Sequence, residues 1–139
     1  MKDCLFCQFI AKEKECPIIY EDDNIFVMLD VRPATTSGGH CLVIPKKHYH
    51  LITDVPDDEL IHVGKGIKMM TKALLKEADG VNVLQNNMHC AGQAEPHVHF
   101  HIIPRYKDDD IQIEVWEERH YKDGEDIKVI KRIQKLLKE

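Results

Sequence analysis

The stretch Pro96-His97-Val98-His99-Phe100-His101-Ile102-Ile103-Pro104 constrains this chain more than any other. In an extended strand, successive side chains point to opposite faces. His97, His99 and His101 then share one face, and Val98, Phe100 and Ile102 share the other. Same-face neighbours stand roughly 6.5–7 Å apart, twice the rise per residue. The apolar face is suited to burial against a helix, which leaves a row of imidazoles opposite. Packing supplies no reason for that row. Imidazole changes charge near neutral pH and serves as nucleophile, acid, base or metal ligand. The row therefore marks a chemical site.

The rest of the chain supplies the sheet that such a strand joins. Ile18-Ile19-Tyr20 and Ile25-Phe26-Val27-Met28-Leu29 are predicted strands, joined by Glu21-Asp22-Asp23-Asn24, with Asp30 closing the second. Gly38-Gly39 marks a sharp connection into a third strand, His40-Cys41-Leu42-Val43-Ile44-Pro45. Asp54 is placed to cap a helix with Pro56 in its first turn. Leu60, Val63, Ile67, Met70 and Leu74 recur at helical spacing, so this helix is predicted to reach about Ala78 and to end at Gly80. Gly64 and Gly66 inside it each cost about 1 kcal/mol against Ala, which points to a close packing contact. Val81-Asn82-Val83-Leu84-Gln85 reads as a fourth strand, followed by a loop over residues 86–94.

A short helix over residues 4–12 precedes all this, and two further stretches follow it. Ile111-Gln112-Ile113-Glu114-Val115-Trp116 alternates as an edge strand or an extended arm. Asp123-Gly124-Glu125-Asp126 opens an amphipathic helix striped by Ile127, Ile130, Ile133 and Leu137. Strands outnumber crossover helices, and several follow one another directly. The expected class is α+β: an antiparallel, meander-type sheet with one main helix packed on it and a C-terminal helix. No repeat or linker divides the chain, so residues 1–139 are expected as a single domain.

Composition narrows the partners. At 43% hydrophobic and 31% charged residues, the chain has enough apolar material to fold, which argues against disorder. No apolar run approaches the ~18–20 residues that span a bilayer. A formal charge of −5 gives no general attraction to nucleic acid or anionic membrane. Phosphate binding would have to come from local geometry. An odd number of cysteines and no secretory segment argue against a disulfide framework, and a cytoplasmic protein is expected. Cys4-Leu5-Phe6-Cys7 stands apart from the other cysteines, because C-x2-C is a common half of a zinc site.

His97-Val98-His99-Phe100-His101-Ile102-Ile103 resembles the signature of the histidine triad (HIT) family of nucleotide hydrolases and transferases. The resemblance extends over roughly residues 4–106, leaving 107–139 as a C-terminal extension. It implies the HIT fold, and a homodimer that often extends one sheet through both subunits. His99 would be the nucleophile, with His101 contacting the phosphate and His40 lying beside them. Asp30 matches the acidic position that binds ribose hydroxyls. Asn86, Gly92 and Gln93 match the loop that touches the ribose–phosphate region. Leu5, Phe6, Phe9, Phe26, Met28 and Val31 fall where the family builds an apolar base pocket. The implied zinc set is Cys4, Cys7, His48 and His97, with His50 as a substitute for His48, and the zinc would be structural. Trp116 falls where the family diverges, either rimming the pocket or anchoring the arm.

One position departs from the family pattern. Many members carry Ser or Thr directly after the glutamine, whereas this chain has Ala94. No hydroxyl is available there for the phosphate or leaving group. The implied activity is hydrolysis of purine nucleoside phosphoramidates or (di)nucleoside polyphosphates to a nucleoside monophosphate. Nucleotidyl transfer to phosphate or another acceptor, a nucleotide sensor without turnover, and a catalytic metal held by His97, His99 and His101 are the alternatives.

Overall fold

The computed structural model describes residues 3–36 and 38–139. Five strands form one antiparallel sheet: β1 (Ile18–Glu21), β2 (Ile25–Leu29), β3 (Cys41–Pro45), β4 (Gly80–Leu84) and β5 (Phe100–Arg105). Their spatial order is β1-β2-β3-β5-β4. The first three strands make a meander. The long helix α2 (Asp57–Leu74) then crosses one face, and the β4–β5 pair returns with β5 against β3.

Two-residue periodicity explains why the strands are apolar throughout. Ile25, Val27, Cys41, Val43, Phe100 and Ile102 pack in one cluster with Val63 and Met70 of α2. The alternate residues Phe26, Met28, Leu42 and Ile44 pack on the other face with Phe6 and Phe9 of α1 (Leu5–Ile10). A sheet covered on both faces needs no polar alternation. Met28, Leu42 and His101 are in register across β2, β3 and β5. The histidine face therefore lies on the α1 side, opposite the main helix.

Several local expectations are corrected. Ladder pairing of the histidine segment begins only at Phe100, so His97 and His99 lie in the approach to β5. The amide of Val98 bonds instead to the Tyr49 carbonyl at 2.7 Å, stitching the segment to the loop after β3. The predicted inward alternation survives, since Val98 joins the α2-side cluster. The imidazole row is not a solvent-facing one: His97 is fully buried and His99 is 7% exposed.

Helix α2 starts three residues after Asp54, with Pro56 at the N-cap position, while the Asp54 carboxylate accepts from the Leu51 amide at 2.9 Å. It ends at Leu74, and Gly80 opens β4. Of its glycines, Gly66 faces the sheet and Gly64 faces open space. Residues 111–116 form an irregular arm rather than a strand. That arm leads to α3 (Glu125–Leu137), whose apolar stripe Ile127, Ile130 and Ile133 is about half exposed in this chain.

Candidate active site and metal centre

Three loops converge on the histidine segment. In residues 30–40, the Asp30 amide bonds to the His40 carbonyl at 2.9 Å, and Asp30 Oδ1 accepts from the Arg32 amide at 2.9 Å. The loop after β3 is held by Asn87, whose Oδ1 accepts from the Ile52 amide at 3.0 Å. In residues 86–94, Gln93 bridges both sides: Oε1 accepts from the Met88 amide at 2.9 Å, and Nε2 donates to the His50 carbonyl at 2.8 Å. Gly92 takes φ 95°, a left-handed conformation that favours glycine, and a Cβ there would sit 3.4 Å from Asn86 Nδ2.

The first and third of these loops, with α1, β2 and β3, enclose a groove of about 190 Å³, lined by Leu5, Phe6, Met28, Asp30, Val31 and Leu42, with Arg32, Gly92, Ala94, Glu95, His99 and His101 completing it. One wall is apolar and the other carries imidazoles and backbone. The Phe6 and His99 rings meet in a T-shaped contact, with centroids 5.0 Å apart. Of the residues expected here, Phe9, Phe26, Asn86 and Gln93 are not part of the lining. Phe9 and Phe26 are buried in the α1-side core. Asn86 lies against Gly92, and Gln93, 6% exposed, ties two loops together. Arg32 and Glu95 were missed. Their only sequence signal is proximity to Asp30 and to the histidine segment.

The three histidines go to three different environments. The His99 Nδ1–H donates to the backbone carbonyl of His97 at 2.8 Å. In a neutral ring that leaves Nε2 with the free lone pair. His101 Nδ1 lies 2.9 Å from His40 Nε2, and the Ala34 amide donates to His40 Nδ1 at 2.9 Å. Asp30 Oδ2 stands 3.4 Å and 3.6 Å from these two rings. Burial pushes both imidazoles below their usual range; His101, with His99 and His40 also against it, falls to about 4.

His97 turns the other way. Its Nε2–H donates to the Pro45 carbonyl at 2.8 Å, leaving Nδ1 to face two sulfurs. Nδ1 is 3.3 Å from Cys4 Sγ and 3.5 Å from Cys7 Sγ, while His48 Nδ1 is 3.3 Å from Cys7 Sγ. With Zn–S near 2.3 Å and Zn–N near 2.0–2.1 Å, tetrahedral S and N ligands stand about 3.5 Å apart. The set fits that spacing. Burial, with the Cys4 sulfur beside it, pushes the Cys7 thiol up to about 11, and burial pulls His97 down to about 4. A divalent cation would offset the thiolate cost, and the Pro45 bond is the carbonyl contact that metal-bound imidazoles usually make. His50 does not belong to this cluster.

The chain matches the HIT domain over residues 11–108. It belongs to the HIT family. An uncharacterized HIT-like protein of Methanocaldococcus jannaschii is 42% identical over 92% of this chain and 98% of its own length. The adenosine 5'-monophosphoramidase HNT1 of Candida albicans is 37% identical over 73% of this chain and 70% of its own. Among solved structures, a HIT family protein from Bacillus subtilis superposes with a TM-score of 0.87 at 33% identity, covering 96% of each chain. A zinc-bound histidine triad family protein from Mycobacterium smegmatis gives 0.75 at 32% identity, covering 85% of this chain and 86% of its own. The fold of this chain is thus the HIT fold. No helix among the described residues is long and apolar enough to cross a membrane.

Proposed function

We propose that this chain hydrolyses a purine nucleoside phosphoramidate or (di)nucleoside polyphosphate through a nucleotidyl-histidine intermediate. The observation that carries the reading is the bond from His99 Nδ1 to the His97 carbonyl, in a ring that lines the groove. In a neutral ring this bond leaves the Nε2 lone pair free to attack phosphorus without a separate base. His99 would attack the α-phosphorus and expel an amine, phosphate or nucleotide. Water would then displace His99 and release the nucleoside monophosphate. His101, Arg32 and Gly92 line the groove, and they would balance charge on the phosphoryl oxygens. The base would lie against Leu5, Phe6, Met28, Val31 and Leu42. Asp30, which lines the groove, would accept from the ribose hydroxyls.

Cys4, Cys7, His48 and His97 would hold a structural zinc that cross-links the start of α1 to the approach to β5. All five cysteines are free thiols, which suits the reducing cytoplasm. Two features support a homodimer. Among the described residues, β4 pairs only with β5 and stands at the edge of the sheet, and α3 keeps its apolar stripe exposed.

The deciding experiment follows AMP release from an AMP phosphoramidate, ADP and diadenosine polyphosphates, with His99→Ala alongside. Release that vanishes in the variant supports the reading, and the fastest substrate names the leaving group. Nucleotide binding without release from any substrate would replace it with the sensor reading, which Ala94 favours by lacking a hydroxyl.

A further inference from the structure

We propose that His40 is a positioning residue that fixes the tautomer of His101, so that His101 presents an Nε2–H donor to the groove. The argument starts from a backbone amide. Ala34 N–H points at His40 Nδ1 from 2.9 Å. A donor facing that nitrogen requires a lone pair there, so the proton of the neutral His40 ring is on Nε2. Nε2 in turn lies 2.9 Å from His101 Nδ1, compared with 3.4 Å from Asp30 Oδ2. Two protonated nitrogens do not face each other at that distance, so His101 Nδ1 accepts. A neutral ring accepting at Nδ1 carries its own proton at Nε2. The Ala34 amide thereby selects, through two rings, which nitrogen of His101 is a donor.

The same geometry decides against a metal. His40 Nε2, His101 Nδ1 and Asp30 Oδ2 lie 2.9, 3.4 and 3.6 Å from one another, and the two histidines and the aspartate form a metal-competent group by distance. Tetrahedral ligands with bonds near 2 Å stand about 3.3 Å apart, so distance alone does not discriminate. Tautomer does. Metal binding needs the Nε2 lone pair of His40, which moves the ring proton to Nδ1, head-on to the Ala34 N–H. In the Cys cluster the arrangement is reversed: His97 donates its distal N–H to a carbonyl and keeps its lone pair for the metal side. One backbone donor and one backbone acceptor thus set two histidine clusters to opposite tasks.

The consequence for turnover rests on the nucleotidyl-transfer reading above. Ala94 brings no side-chain hydroxyl to the groove, so the His101 Nε2–H joins Arg32 and the backbone near Gly92 as a donor for a phosphoryl or leaving-group oxygen. No proton needs to move for this role.

The test is long-range ¹H–¹⁵N correlation on histidine-labelled wild type at pH 7. His40 and His101 are both expected as Nε2–H tautomers, and zinc added beyond one equivalent is expected to leave their signals unmoved. His40→Gln places an amide donor where Nε2 was and is expected to keep the His101 tautomer. His40→Asn reaches only the Nδ1 position, so His101 is expected to become a tautomer mixture and kcat to fall about tenfold or more, with KM little changed. Gln is expected to recover most of that loss. An Nδ1–H or mixed His101 in wild type overturns the proposal, as does an unchanged His101 in His40→Asn or a zinc-induced shift of both rings. If the variants fail to fold, the wild-type spectrum decides alone. Absence of AMP release with the stated tautomers would remove the nucleotidyl reading and leave the relay standing; the converse pattern would do the opposite.

Discussion

The carbonyl of His97 accepts the Nδ1–H of His99 at 2.8 Å, while the side chain of the same His97 faces Cys4 and Cys7. One residue thus joins the cysteine cluster to the ring proposed as nucleophile. Disturbing the cluster should move His99 indirectly. Protein grown with ample metal is expected to hold about one zinc per chain, lost in Cys4→Ser or Cys7→Ser. Thermal midpoint should fall by on the order of 10 °C, since structural zinc contributes several kcal/mol. Metal analysis and thermal unfolding check this. A metal-free wild type with an unchanged midpoint would remove zinc from the account.

His99→Asn separates orientation from chemistry. The Asn amide nitrogen overlays Nδ1 and can still donate to the His97 carbonyl, but no nitrogen remains at Nε2. Nucleotide binding is expected to persist while kcat drops on the order of 10³-fold or more. Calorimetric binding and single-turnover release measure both. Retained turnover would assign the nucleophile elsewhere.

His101 predicts a pH dependence of stability. Burial, with His99 and His40 adjacent, holds it down to about 4, against an ordinary value of about 6.5. Between these values the unfolded chain binds a proton that the folded chain does not. The stability from this residue is full above about pH 6.5, falls as pH drops toward 4, and levels off below. The loss is about 2 kcal/mol by pH 5 and roughly 3 kcal/mol in full, at about 1.4 kcal/mol per unit of pKa difference. Urea midpoints at pH 7 and pH 5 should differ less in His101→Gln than in wild type.

The two glycines of α2 should respond oppositely to Ala. At Gly64 nothing lies within 4 Å of an added Cβ, so Gly64→Ala should stabilise by roughly 0.5–1 kcal/mol through helix propensity. At Gly66 the added atom meets buried Ile25 Cδ1 at 2.5 Å and Val43 Cγ1 at 3.2 Å. Overpacking costs about 1–3 kcal/mol there and outweighs the propensity gain. Chemical denaturation of the two variants gives the order directly.

The α3 stripe tests the dimer. Ile127, Ile130 and Ile133 are 55%, 52% and 47% exposed, a poor arrangement for a helix left alone. Sedimentation equilibrium of wild type is expected to give a dimer, and Ile130→Asp with Ile133→Asp to weaken it. A monomeric wild type would withdraw the dimer.

What the sequence determined here is periodic or local. Alternation across the histidine segment assigned faces, the apolar run Ile25–Leu29 marked a strand, and three- and four-residue spacing located α2 and α3. The HIT signature named the family because three histidines on one strand face are rare for any other reason. What only the tertiary structure decided involves atoms far apart in the chain. Asp54 lost its capping role because the Leu51 amide, rather than the start of α2, took its carboxylate. Gln93 and Phe9 left the groove because loop closure and core packing claimed them, and propensity does not see either demand. The sequence places His97, His99 and His101 in one row. Three backbone partners, Pro45 O, His97 O and Ala34 N through His40, decide which nitrogen each ring keeps free. A tautomer is set by whichever donor or acceptor arrives opposite, and that is a property of the folded backbone.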